Sequence, residues 1–306
     1  MEKPRILITG SSGLIGRALR GALRLRGYET NGLDLLGLGP EQGDVRDMHR
    51  VQESLEGCVG VVHLAAVSRV AIAETDPGLC WSINVDGLRT VVNAAEQASQ
   101  RPWFIFASSR EVYGQSAKFP VSEDSALYPV NIYARSKVEG ERQLLMAAQG
   151  GMRTAIARLS NVYGSVNDHH NRVVPAFAKA AAIGGIFRVE GAENAFDFTH
   201  LDDTASGLLA LIERISSNDF HDLLTLQFVT GQMTSLGELA RLATSMAREK
   251  VEITEMPPRN FDVSQFCGNP QKAFDVLGWS PKVGLPVGLA RLIDDFARIS
   301  RRERFD

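Results

Sequence analysis

The sequence predicts an α/β fold, a doubly wound parallel sheet covered by helices with a smaller C-terminal lobe attached. Three observations predict it. Arg5-Ile6-Leu7-Ile8-Thr9 is a short apolar run that enters Gly10-Ser11-Ser12-Gly13-Leu14-Ile15-Gly16 and leaves on helical periodicity. Strand-like and helix-like segments then alternate as far as Leu159. Beyond Gly164 the alternation loosens into polar loops and a stretch richer in Pro and Gly.

The first helix spans 14–25, because apolar residues recur at Leu14, Ile15, Ala18, Leu19, Ala22, Leu23 and Leu25, and Gly27 marks its end. Glycines before it let the backbone turn tightly and approach a pyrophosphate, while the free N–H groups and dipole of the helix start favour negative charge. Gly10, Gly13, Leu14, Ile15 and Gly16 are therefore candidate cofactor residues. Residues 28–34 read as a second strand with Asp34 at its carboxyl end. A carboxylate there accepts hydrogen bonds from both adenosine ribose hydroxyls and repels a 2′-phosphate, which points to NAD over NADP. Asp44 and Val45 in Gly43-Asp44-Val45-Arg46-Asp47 follow a short connection and are placed to border the adenine.

A buried strand over 59–66 leaves on Leu64-Ala65-Ala66, whose small side chains let a dinucleotide pass close to the backbone. A helix over 84–98 follows, then a strand over 103–107 that stops at Ser108-Ser109. The next helix, 132–148, carries Tyr133 and Lys137 one turn apart on one face. A free phenol titrates near pH ~10, and a neighbouring ammonium favours its ionised form, so Tyr133 is a candidate proton shuttle. A strand over 154–159 completes the regular winding. Helices over 173–182, 235–249 and 286–299 belong to the looser part. The expected division is a cofactor-binding unit of residues 1–163 with 200–233, and a substrate-binding unit of 164–199 with 234–306.

Composition excludes several other classes. A net charge of −3 over 306 residues gives no reason to expect nucleic acid or a membrane surface as partner. Cys58, Cys80 and Cys267 are scattered and lack metal-ligand spacing, so neither a disulfide framework nor a metal site is expected. No apolar run approaches the ~20 residues of a membrane span, and a cytoplasmic location is expected.

With these pieces in order, the chain resembles the extended short-chain dehydrogenase/reductase family, whose fold is the Rossmann fold, and within it the nucleotide-sugar epimerases and dehydratases. The landmarks are Thr9 to Gly16, Asp34, Asp44-Val45, His63-Leu64-Ala65-Ala66, Asn84, Ser108-Ser109-Arg110-Glu111-Val112-Tyr113-Gly114, and Tyr133 with Lys137. They continue through Arg158-Leu159-Ser160-Asn161-Val162-Tyr163-Gly164, Asp197-Phe198-Thr199-His200-Leu201-Asp202-Asp203 and Gly268-Asn269-Pro270.

The resemblance implies that Leu14, Ile15, Asp34, Asp44, Val45, Leu64 to Ala66, Asn84 and Ser160 line an NAD cofactor. It implies that Lys137 holds the nicotinamide ribose and keeps Tyr133 partly ionised, with Ser109 bridging the sugar hydroxyl and the phenolate. Asn161, Asn171, Arg259 and Asp262 match positions that hold a nucleotide diphosphate and its ribose. In similar 4-epimerases, the tyrosine takes the proton of the sugar 4-hydroxyl, a transient 4-keto sugar turns in the site, and the opposite epimer forms. A UDP-sugar is the favoured substrate and a homodimer the favoured assembly. The segments 84–98 and 132–148 correspond to the family's dimer helices, with Val85, Leu88, Val92 and Ala95 on one core-facing stripe.

The chain departs from the family pattern at three places. Phe196 stands where a diphosphate-binding arginine is usual, and Ser68 where a lysine near the pyrophosphate is common. Arg110-Glu111 replaces the Asp-Glu pair of the 4,6-dehydratases, which removes the proton donor that elimination requires. Glu111 remains a candidate base. Dehydratase, decarboxylase and ketosugar reductase chemistry are the neighbouring alternatives, and a non-catalytic NAD-binding scaffold is the alternative of another class.

Overall fold

The computed structural model describes residues 3–217, 219–220, 223–259 and 263–302. Its first half winds as β1 (Arg5–Thr9), α1 (Leu14–Leu25), β2 (Glu29–Leu33), α2 (Met48–Leu55), β3 (Cys58–His63), α3 (Val70–Thr75), α4 (Pro77–Trp81), α5 (Leu88–Gln97), β4 (Trp103–Ser109), α6 (Ile132–Gln149) and β5 (Thr154–Leu159). The second half adds β6 (Asn161–Tyr163), α7 (Val173–Ile183), β7 (Gly185–Glu190), β8 (Ala195–His200), α8 (Leu201–Ile215), β9 (Leu224–Phe228), β10 (Met233–Ser235), α9 (Leu236–Ser245), β11 (Val251–Met256), α10 (Gln271–Leu277) and α11 (Leu285–Arg302).

The main sheet has six parallel strands in the order β2-β1-β3-β4-β5-β9. Chain order reverses between β1 and β3, so a crevice opens at their carboxyl ends, where such sheets take their ligands. Alternation along the strands feeds two cores. Leu7, Val61, Phe104, Phe106 and Ile156 pack on one face against α2, α5 and α6, burying Val51, Leu88, Val91, Val92 and Leu144. Ile6, Ile8, Val62, Ile105, Ala155 and Ala157 pack on the other against Leu19 and Leu23 of α1 and Leu208, Leu211 and Ile212 of α8. Both faces are covered, which is why these strands read as continuous apolar runs.

The predicted helix over 84–98 begins earlier. An α-helix at Pro77–Trp81 runs through a π-helical turn, Ser82–Gly87, into α5, and Asp76 caps it by accepting the Leu79 N–H. The stripe of Val85, Leu88, Val92 and Ala95 is buried within the subunit itself.

Beyond β5 the chain forms two small sheets that hydrophobic spacing alone did not indicate, β10-β8-β6 and β11-β7. A third core joins them, built on Phe177, Phe187, Phe196, Phe198, Phe266, Leu292 and Phe296. Phe266 is thus a core residue, stacked on Tyr113 at 5.9 Å between ring centroids. No described helix is long and apolar enough to cross a membrane.

Candidate active site

The glycine turn sits at the crevice. Gly10 has φ +69°, and a Cβ there would lie 2.7 Å from the backbone nitrogen of Ala65. At Gly16 a Cβ would lie 2.3 Å from the carbonyl oxygen of Gly10, so a side chain would push α1 off the turn. Gly13 is the extended N-cap of α1 and supplies no side chain, which leaves the N–H groups of Leu14 and Ile15 without a side-chain acceptor. The Ser11 hydroxyl is buried against Gly32 of β2, with no partner among the described residues. Asp34 is half-buried just past β2; one carboxylate oxygen accepts the Ser12 N–H at 2.9 Å and the other the Leu36 N–H at 2.8 Å. This set of backbone donors and one oriented carboxylate fits a dinucleotide.

Across the crevice, the Leu64 N–H donates to the Thr9 carbonyl at 3.1 Å, and Leu64, Ala65 and Ala66 are partly exposed along its floor. Behind them lies His63, fully buried, with Nδ1 3.0 Å from the Thr9 hydroxyl and Nε2 unpartnered among the described residues. Burial, and then the charge of Lys137, push this imidazole down to about 3, so it is neutral.

Four of the expected cofactor residues have contacts within the protein. Asn84 lies in the π-helical turn, where its amide accepts the Val67 N–H at 2.7 Å and donates to the Val67 carbonyl at 3.1 Å and the Ser136 hydroxyl at 2.9 Å. It holds the loop after β3. The Asp44 carboxylate is paired with the Arg46 guanidinium, which holds it below the usual carboxylate range, and the Val45 side chain points into the core. The Ser160 hydroxyl donates to the Asp197 carbonyl, tying the β5–β6 junction to β8.

The proton-transfer residues do converge. Ser109 ends β4, its hydroxyl accepts the Glu111 N–H at 3.2 Å, and it lies near enough to the Tyr133 phenol to favour the ionised form. Tyr133 lies in the first turn of α6, whose N-cap is Asn131, accepting the Ala134 N–H at 2.7 Å. Burial raises the Tyr133 phenol to about 12, against the neighbouring Ser109 hydroxyl and the charge of Arg172, which lower it. Lys137 is buried, donates to the Ala107 carbonyl at 2.8 Å, and is lowered to about 8, by burial foremost. Its ammonium is 5.8 Å from the Tyr133 ring centroid and donates to a backbone carbonyl, so here it is the Ser109 hydroxyl and then the charge of Arg172 that ease ionisation.

Glu111 is buried with both oxygens engaged, one by Arg110 at 2.7 Å and the other by the Asn131 amide at 2.9 Å. A carboxylate held in this way fixes Arg110 and Asn131 relative to each other. The Arg110 guanidinium lies 4.5 Å over the Phe196 ring, and Asn161 accepts its Nε at 3.4 Å. A cation therefore stands beside the very position that lacks the usual arginine.

The remaining substrate candidates are dispersed. Asn171 is exposed on the loop before α7, and it is its neighbour Arg172 that turns inward, pairing with Asp168 at 3.7 Å and reaching the Ser68 hydroxyl at 3.5 Å. Arg259 is half-exposed and pairs with Glu190 at 3.3 Å, while Asp262 lies outside the described residues. Among the described residues no cluster of His, Cys, Asp and Glu is arranged to hold a metal. Sequence reading missed Asn131, although an Asn directly before an apolar helix start is the ordinary N-cap signal.

A parallel sheet with a glycine turn at its switch point and a Ser109–Tyr133–Lys137 group at the neighbouring strand end defines a dinucleotide-dependent enzyme of the Rossmann class. The model of the NAD dependent epimerase/dehydratase family matches residues 6–223, and the chain belongs to that family. It is 28% identical over 321 residues to a UDP-glucose 4-epimerase of Mycolicibacterium smegmatis, covering 97% of this chain and 100% of that one. Among solved structures it resembles MoeE5 in complex with UDP-glucuronic acid and NAD, with a TM-score of 0.88 and 25% identity over 97% of this chain and 99% of that one. A UDP-glucose 4-epimerase of Thermus thermophilus in complex with NAD gives a TM-score of 0.86 and 26% identity, covering 95% of this chain and 98% of that one.

Proposed function

We propose that this protein is an NAD-dependent epimerase of a nucleotide-diphosphate sugar, a UDP-sugar by preference, acting at C4 through a transient 4-keto sugar. The observation that carries the reading is the convergence of Ser109, at the carboxyl end of β4, with Tyr133 and Lys137, one helical turn apart on α6. Bound NAD would supply the acceptor and donor of hydride for the sugar carbon. Tyr133 takes the proton of the 4-hydroxyl and gives it back to the ketone oxygen, and Ser109 keeps that oxygen and the phenol aligned. Lys137 serves the nicotinamide ribose, and Asp34 the adenosine ribose. Glu111 positions Arg110 and Asn131 around the site. The names of the relatives support this reading, as does Arg110, which leaves no acid where dehydration would need one.

The units follow the same division, residues 1–163 with 200–233 for the cofactor and 164–199 with 234–306 for the sugar. Asn161, Asn171, Arg259 and Asp262 are proposed to contact the nucleotide diphosphate and its ribose. A homodimer through α5 and α6 suits the exposed Leu145 and Met146 of α6, and the free thiols of Cys58, Cys80 and Cys267 suit a cytoplasmic location. Light scattering of the purified protein checks the dimer.

The test of the activity is proton NMR of the NAD-loaded protein with UDP-glucose, UDP-glucuronate and a panel of GDP- and dTDP-sugars, without added cofactor. C4 epimers are expected. Retained NAD with no conversion of any sugar would leave the scaffold reading in its place.

A further inference from the structure

Two arginines are buried close to the end of β4, and they differ in one respect. Arg158 uses every nitrogen: Nε and Nη2 bind the Glu141 carboxylate at 2.9 and 2.7 Å, and Nη1 donates to the Tyr113 hydroxyl at 3.0 Å and the Glu123 carbonyl at 2.8 Å. That guanidinium is a completed structural tie. Arg110 is 9% exposed and is not completed: Nη2 pairs with Glu111, Nε makes one long bond to Asn161, and Nη1 has no partner among the described residues. Buried donors are almost always satisfied, so one left open beside a reactive group marks a place where a ligand atom is received.

The surroundings hold the guanidinium in place without using that nitrogen. The Phe196 ring lies 4.5 Å beneath it and the Phe266 ring 5.8 Å away, while Glu111 is itself fixed by Asn131, the N-cap of the Tyr133 helix. In sequence Arg110 directly follows Ser109, whose hydroxyl lies near the Tyr133 phenol and favours its ionised form. The open N–H groups therefore belong to the same strand end as the proton-transfer pair, and the planar fork is suited to carboxylate or phosphate oxygens.

We infer that Arg110 is a specificity-determining residue, its Nη1 donating to an anionic oxygen of the bound substrate, either a carboxylate on the sugar or an oxygen of the diphosphate. The inference rests on the proposed nucleotide-sugar reading and assigns the charge its substrate must present.

The experiment measures affinity, so that it does not depend on turnover. Calorimetry of the NAD-loaded protein with UDP-glucuronate, UDP-glucose and UDP compares wild type with Arg110→Gln and with the double variant Arg110→Gln/Glu111→Gln. The double variant removes both buried charges together, so that Glu111 is not left unpaired. With NAD affinity retained, a loss of roughly tenfold or more, the scale of one charge-assisted hydrogen bond, is expected. Loss confined to UDP-glucuronate identifies the sugar carboxylate, and equal loss for all three ligands identifies the diphosphate. Affinities within about twofold of wild type for all three ligands overturn the inference, since a merely structural ion pair would move the unfolding midpoint and not the substrate affinity. Wild-type binding without C4 epimerisation would remove the proposed reaction and leave the role of Arg110 standing, whereas no wild-type binding of any of the three would remove both.

Discussion

The Lys137 ammonium donates to the Ala107 carbonyl at 2.8 Å and lies 5.8 Å from the ring centroid of Tyr133, the residue one helical turn before it. Helical spacing puts the two side chains on one face, yet the strand-end carbonyl takes the ammonium. In the NAD-free protein the Tyr133 phenol therefore titrates near 12, where burial has raised it, and ultraviolet difference titration of wild type against Tyr133→Phe reads that value directly. The same variant is expected to keep its fold and NAD affinity and to lose at least ~100-fold in turnover, the scale of a missing acid/base group. Near-normal turnover would take the phenol out of the mechanism.

The sequence made the first half of the molecule legible because parallel strands buried on both faces announce themselves as apolar runs, and β1, α1, β5 and the Tyr133 helix fall where those runs predict. The small sheets beyond β5 did not announce themselves. β6 and β10 are three residues each, and much of β11 is exposed, so none carries a hydrophobic period. At the site, residue types were readable but partners were not. Asp44, Asn84, Ser160 and Glu111 each have a polar group that suits a ligand, and only the fold shows Arg46, Val67, the Asp197 carbonyl and the Arg110–Asn131 pair occupying them.

Asp34 is held by two backbone N–H groups, from Ser12 in the glycine turn and Leu36 beyond β2, so its orientation is fixed before any ribose arrives. Removing the carboxylate in Asp34→Ala abolishes both the hydroxyl contacts and the repulsion of a 2′-phosphate. The ratio of dissociation constants for NAD and NADP is expected to move toward unity, mainly through weaker NAD binding. An unchanged ratio would assign cofactor choice to another residue.

Asn131 does two things at once, capping α6 through its carbonyl oxygen and holding Glu111 through its amide. Asn131→Ala is expected to lower the free energy of unfolding by about 1–2 kcal/mol, the range for a lost N-cap in which a buried partner also loses a bond. Asn131→Ser restores a cap but cannot donate from the same place to Glu111, so it should recover much of the stability and little of any lost turnover. Chemical denaturation and steady-state rates measured together separate the two parts. If Asn131→Ala unfolds at the wild-type denaturant concentration, the cap is dispensable.

His63 carries the acid sensitivity of the main sheet. Its imidazole is buried beneath the crevice and held down to about 3 by burial and by the charge of Lys137, whereas in the unfolded chain it titrates at an ordinary 6.5. Between those values the unfolded chain binds a proton that the native state excludes, so stability increases with pH across the window and is lost as the solution is acidified. One such proton contributes a slope of at most about 1.4 kcal/mol per pH unit. His63→Asn keeps a polar group near the Thr9 hydroxyl and cannot titrate, so its unfolding free energy should vary less steeply than that of wild type between about pH 4 and pH 6. Urea denaturation at several pH values within that interval gives both slopes. The comparison uses slopes and not absolute stabilities, so any packing defect from the smaller side chain does not enter. Parallel slopes would mean that the native protein takes up the same proton, and that the imidazole is reached by solvent through the floor of the crevice.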